Sequence, residues 1–94
     1  MHVISRQQIY DFIEKHADAR DPLLSWYHET CNATWSTPHE IKARYSSASF
    51  LGNNVVVFNI KGNTYRLVTK VAYQTQYLTI VWIGTHAEYD KKKF

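Results

Sequence analysis

The sequence holds little sulfur, little glycine and no long apolar stretch, and each scarcity narrows what the chain can be. Cys31 is the only cysteine among 94 residues, which excludes an intramolecular disulfide and a thiolate metal site. Gly52, Gly62 and Gly84 are too few and too scattered to build a Walker loop or a Gly-x-Ser-x-Gly elbow. No His-x-x-x-His pair or EF-hand loop is present, so no metal and no cofactor are expected. With two prolines and no low-complexity run, nothing reads as a linker or an internal repeat. Apolar runs such as Val55–Phe58 are far too short to span a bilayer. Met1–Arg6 shows neither an apolar signal core nor a twin arginine, so a cytoplasmic protein with no membrane association is expected.

What is present suits one small globular domain over residues 1–94. The hydrophobic share is 45% and the charged share 20%, which excludes a disordered chain. A domain of this size buries only about 60–65% of its unfolded surface. Three Trp, seven Tyr and four Phe supply bulky core material. Charge is divided unevenly. Residues 1–41 carry three basic and six acidic groups, a net of −3, while residues 42–94 carry eight basic and two acidic ones, a net of +6. A basic half suggests a surface that meets an anion, nucleic acid first among the candidates.

Periodicity divides the chain in the same way. Ser5 with Gln8 fits a capping box, and Ile9, Phe12 and Ile13 form one apolar stripe of a first helix reaching about Ala19. Asp21-Pro22 fits the N-cap and first position of a second helix, with Leu23, Leu24, Trp26, Tyr27 and Cys31 as its buried face. Thr37-Pro38-His39-Glu40 starts a short third helix to about Tyr45. Three strands follow: Val55 to Ile60, Thr64 to Tyr73 and Tyr77 to Ile83. Lys61-Gly62-Asn63 and Gln74-Thr75-Gln76 supply the turns of an antiparallel meander. Thr85-His86-Ala87-Glu88 opens a last short helix. The class is α+β, with helices on one face of a small sheet.

Strand alternation puts Arg66 and Lys70 on the face opposite Leu67 and Val71, about 13–14 Å apart along an open sheet. Two fixed cations there suit a phosphate, because Arg offers a fork and Lys a point charge. Solvated sheet charges would show the same spacing. His86 can take and give a proton near neutral pH, and Tyr89 and Asp90 share its helical face. A capping histidine and a packed tyrosine are the plainer alternatives. Lys61, Arg44 and the Lys91–Lys93 run complete the basic half as candidate contacts to RNA phosphates. A lysine tail of this kind strengthens salt-dependent binding without adding sequence choice.

Several segments carry a resemblance. Phe58-Asn59-Ile60 leads through Gly62-Asn63 into Tyr65-Arg66-Leu67-Val68. Further on comes Trp82-Ile83-Gly84-Thr85-His86-Ala87-Glu88-Tyr89-Asp90-Lys91. With the Met1–Ser5 opening, Trp35 and the Pro38–Lys42 helix, these resemble the HigB family of toxins from bacterial type II toxin–antitoxin systems, a branch of the RelE-like ribonucleases. The resemblance covers nearly the whole chain. It implies a RelE-like α+β toxin that cleaves messenger RNA on the translating ribosome without a metal, the RNA's own 2′-hydroxyl attacking the adjacent phosphate. Arg66 and Lys70 would then clamp the phosphate, His86 would act as base or acid, and Tyr89 would donate a proton or stack on a base. It also implies a HigA-type helix-turn-helix antitoxin, through which alone the complex would meet operator DNA. The acidic face at Asp11, Glu14 and Asp18 is its expected docking surface. A non-catalytic module that blocks translation by occupying RNA or the ribosome would use the same cations.

Overall fold

The change of period near Ala48 separates a helical half from a sheet, and the two close on one core. A computed structural model describes residues 1–94. Its elements run β1 (His2–Ile4), α1 (Gln7–Lys15), a 3₁₀ turn (Ala17–Ala19), α2 (Arg20–Cys31), α3 (Pro38–Arg44), β2 (Ser49–Gly52), β3 (Val55–Ile60), β4 (Tyr65–Ala72), β5 (Tyr77–Thr85) and α4 (His86–Asp90). The strands form one sheet in the order β1-β5-β4-β3-β2. β1 runs parallel to β5, and every other pairing is antiparallel. The class is therefore α+β with a mostly antiparallel sheet.

The meander of β3, β4 and β5 stands where β-branched and aromatic residues place it, and the sheet gains an edge strand on each side. β1 is three residues long, too short to show a period, and its partners Tyr77, Leu78 and Thr79 are remote in sequence. β2 is exposed at all four positions. Asn53 and Asn54, at φ 51° and 64°, join it to β3. Two successive left-handed residues give the hairpin turn whose twist matches the strands it connects.

The core lies between the helices and one face of the sheet. Ile9, Leu23, Trp26 and Ile41 from the helices join Phe58, Leu67, Val71, Leu78 and Ile80 from the strands in one buried cluster. Each such side chain contributes about 1.5–3 kcal/mol by leaving water. Thr69 sits on this buried face of β4, and its hydroxyl donates to the Val56 carbonyl at 2.8 Å, which removes the cost of burying it.

Two helix starts differ from expectation. The Ser5–Gln8 capping box does not form. Ser5 takes a left-handed φ of 68°, so its carbonyl, not its hydroxyl, accepts the Gln8 amide at 3.1 Å. The Gln8 side chain instead donates to the Ile80 carbonyl at 3.0 Å, tying α1 to β5. α1 ends at Lys15 rather than near Ala19, and the 3₁₀ turn runs straight into α2. Ala19 is thus the N-cap of α2 and Asp21 lies in its first turn. The buried face of α2 is Leu23, Trp26 and Thr30; Leu24 and Tyr27 are half-buried and Cys31 is exposed. α3 starts as its sequence indicates, with the Thr37 hydroxyl accepting from the Glu40 amide and Pro38 in the first turn. There the Glu40 carboxylate reaches back to the Ser36 amide at 3.1 Å.

Candidate active site

Strand β4 supplies the cation and helix α4 supplies the proton-handling groups, so the site depends on how α4 is held. Thr85 caps α4 with a complete capping box. The Glu88 amide donates to the Thr85 hydroxyl at 3.1 Å, and the Thr85 amide donates to the Glu88 carboxylate at 2.8 Å. The Thr85 amide, helped by its hydroxyl, holds the Glu88 carboxyl below the usual carboxylate range. The His86 amide donates to the Thr64 carbonyl at 3.0 Å, which fastens the start of α4 to the turn before β4.

This anchoring brings His86 onto Arg66. Arg66 lies opposite Gly84 in the sheet and is only 9% exposed. The open face expected around it is therefore closed at this end, because α4 folds back over β4 and β5. Arg66 Nη1 donates to the carbonyls of Asn63 at 3.0 Å and Tyr65 at 3.3 Å. Its Nη2 lies 2.9 Å from His86 Nδ1. A guanidinium only donates, so Nδ1 accepts and the imidazole proton sits on Nε2. His86 Nε2 in turn lies 3.5 Å from the Asp90 carboxylate, one helical turn on. The Arg66 guanidinium also stands 5.9 Å from the centre of the Tyr89 ring. Three of its five N–H groups are directed at these partners, which leaves two for an incoming anion.

The other candidate cations are distributed around the molecule. Lys70 is exposed on β4, four residues beyond Arg66, and its ammonium makes no hydrogen bond or ion pair within the chain. Lys91, Lys92 and Lys93 follow α4 and are exposed, with Lys92 Nζ 5.5 Å from the Trp82 ring centre. Lys61 pairs with Asp18 at 2.6 Å. That ion pair, with the Tyr65 hydroxyl donating to the same carboxylate, holds the Asp18 carboxyl below its usual range. Asp18 therefore spends its charge inside the chain rather than on a free acidic face. Arg44 pairs with Glu29 of α2 at 2.6 Å. It lines the largest surface depression, about 780 Å³ on the helical layer, together with Asp21, His28 and Trp35. None of Arg66, His86 and Tyr89 borders that depression.

Sequence reasoning did not reach Trp82 and Phe94, which adjoin Tyr89. Tyr89 and Phe94 stack with centroids 5.8 Å apart and planes at 13°, and Trp82 lies 6.4 Å from Tyr89 and 5.6 Å from Phe94. The available signal was Gly84, two residues after Trp82 on the same strand face.

Arg66 clamped against a histidine that is backed by a carboxylate can hold a phosphate beside a proton acceptor. Three curated relatives are each 29% identical over 93 residues, spanning 96% of this chain and 88% of the relative: the mRNA interferase toxin HigB of Escherichia coli (strain K12), and the mRNA interferases HigB of Escherichia coli O157:H7 and Shigella flexneri. A family model described as HigB_toxin, RelE-like toxic component of a toxin-antitoxin system, matches residues 19–92, a span that holds Arg66, Lys70, His86 and Tyr89. With most of its length matched, this chain belongs to the HigB toxin family, the RelE-like toxic components of toxin–antitoxin systems.

Proposed function

We propose that this protein is an mRNA interferase: a single RelE-like toxin domain over residues 1–94 that cuts messenger RNA on the translating ribosome, in the cytoplasm. A HigA-type helix-turn-helix antitoxin neutralises it and carries any contact with operator DNA. The observation that carries this reading is the bracket of Arg66, His86 and Asp90, with Tyr89 over the guanidinium. The names of the relatives support the activity.

The chemistry follows from that bracket and uses side chains alone. The scissile phosphate takes the two free N–H groups of Arg66, with Lys70 gripping the strand beyond it. The RNA's 2′-hydroxyl displaces the guanidinium from His86 Nδ1 and gives its proton to that nitrogen. The 2′-oxygen then bonds to phosphorus and the bond from phosphorus to the 5′-oxygen breaks. Asp90 faces Nε2–H and stabilises the imidazolium formed. Tyr89, beside the guanidinium, protonates the departing 5′-oxygen. The products are a 2′,3′-cyclic phosphate and a 5′-hydroxyl. Charge preorganised for the phosphorane contributes most to the rate, which puts Arg66 first.

The test is cleavage of a defined messenger RNA by the full chain, with and without programmed ribosomes, cuts being mapped by primer extension. Cuts on ribosomes only, with 5′-hydroxyl ends and lost in Arg66→Ala and His86→Ala, are expected. Cuts on naked RNA would remove the ribosome from the mechanism. Tight ribosome binding without cuts would refute the enzyme and leave a module that blocks translation by occupancy.

A further inference from the structure

Residues 61–65 form the corner between β3 and β4, and its backbone holds both halves of the bracket. The Asn63 and Tyr65 carbonyls accept from Arg66 Nη1, and the Thr64 carbonyl accepts from the His86 amide. Tyr65 also lies opposite Thr85, the N-cap of α4, in the sheet. Lys61 opens the corner at a left-handed φ of 54°. In a residue other than glycine that conformation persists only where the surroundings enforce it. The enforcement comes from the helical layer. Asp18, in the 3₁₀ turn between α1 and α2, reaches both ends of the corner with one carboxylate. Its Oδ2 accepts from Lys61 Nζ at 2.6 Å, and its Oδ1 accepts from the Tyr65 hydroxyl. The Tyr65 ring is buried edge-on against Phe12 and His16, at centroid distances of 5.2 and 5.3 Å, which fixes where its hydroxyl points.

We infer that Asp18 is a positioning residue for the cleavage reaction: it staples the two ends of the β3–β4 corner, and the staple sets how Arg66 and α4 meet. This deepens the reading above and rests on it. Asp18 bonds Lys61 and Tyr65 and none of Arg66, His86 and Tyr89, so its effect passes through the corner's backbone. An exposed ion pair alone contributes little. This one shares its carboxylate with a tyrosine anchored in the core, and so it restrains the main chain rather than one free side chain. Reacting groups tolerate little displacement: a shift of about 1 Å can slow the chemistry about 100-fold.

The experiment compares wild type, Asp18→Ala, Asp18→Asn and Tyr65→Phe, with folding checked by circular dichroism. Two readouts are taken: cleavage kinetics on programmed ribosomes, and the nitrogen resonances of the His86 ring in isotope-labelled free protein. Asp18→Ala is expected to lower kcat about 10- to 100-fold while KM stays within about threefold, since the RNA-facing cations are untouched. Its His86 Nδ1 resonance should move toward that of a nitrogen with no donor. Asp18→Asn keeps an oxygen for the Tyr65 hydroxyl and should recover part of the loss. Tyr65→Phe keeps the packed ring, removes one leg of the staple and should lower kcat in the same sense, so the test stands even where Asp18→Ala does not fold. Folded Asp18→Ala and Tyr65→Phe proteins with wild-type kcat and unmoved His86 resonances overturn the staple and leave the nuclease standing. A wild type that cuts no RNA overturns the nuclease; a His86 resonance that still moves in Asp18→Ala then upholds the staple, and one that does not overturns it as well.

Discussion

Replacing Arg66 by lysine keeps the charge and removes the fork, which isolates the geometric part of the site. The guanidinium reaches two carbonyls and one imidazole nitrogen at 2.9–3.3 Å and keeps two N–H groups in reserve. An ammonium on a flexible stem has three donors and no plane, so it cannot hold all three partners and still present a two-point grip. Losing one oriented donor to a developing oxyanion costs about 2.7–4 kcal/mol of transition-state stabilisation, which slows the reaction 10²–10³-fold. The cost to the fold is smaller. Carbonyls left without a partner cost about 1–3 kcal/mol, and for a domain under 100 residues each kcal/mol lowers Tm by roughly 4–8 °C. Arg66→Lys should therefore be folded at 25 °C and cleave RNA two to three orders of magnitude more slowly in a single-turnover assay. Cleavage within threefold of wild type, with an intact thermal transition, would refute the bracket as the source of catalysis.

Three further outcomes are expected. Thr85→Ala removes the hydroxyl of the α4 capping box, which should cost about 0.5–2 kcal/mol in a denaturant titration and lower cleavage as well, because α4 carries His86 and Tyr89. Asp18, Glu29 and Glu88 are each held below the usual carboxylate range, by Lys61, by the Tyr45 hydroxyl and by the Thr85 amide respectively. Depressed folded values add stability that is fully present above the unfolded values near pH 4–4.5 and is lost as the pH falls through the folded ones. Tm measured against pH should hold level down to about pH 5 and then drop, and Asp18→Asn should soften the drop. Neutralising Lys91, Lys92 and Lys93 together should weaken RNA binding and flatten its dependence on salt, by about one unit of log–log slope for each phosphate that the tail no longer neutralises, with cut positions unchanged in primer extension.

Local signals were legible wherever the determinant was local. Val55–Ile60 and Tyr77–Ile83 announced strands through β-branched and aromatic residues, the second running on to Thr85 in the structure, and Thr37 and Thr85 announced helices through hydroxyls three residues before a glutamate. β1 and β2 escaped notice because an edge strand of three or four residues is defined by its neighbour more than by its own composition. Ser5 carries the capping pattern and adopts a left-handed backbone instead, since the chain must turn from β1 into α1. Within the site, alternation on β4 correctly separated Arg66 from Leu67. It could not show that α4 returns over the strand, buries Arg66 and leaves Lys70 in solvent. That depends on the Thr64 carbonyl meeting the His86 amide, a hydrogen bond between turns with no sequence period.

The parallel pairing of β1 with β5 has a consequence in time. His2–Ile4 is synthesised seventy-five residues ahead of its partners Tyr77–Thr79. Until then β1 has no neighbour and α1 has no Ile80 carbonyl to receive Gln8. α4 follows every strand, so the histidine that Arg66 must meet arrives after the sheet on which it rests. Sheets closed by such remote pairings form late, because loop closure costs entropy before any contact returns it. Arg66 is therefore made with its two carbonyl partners already in place, and the histidine it clamps is added twenty residues later. The bracket of Arg66 and His86 thus cannot close before the segment that forms α4 has been made.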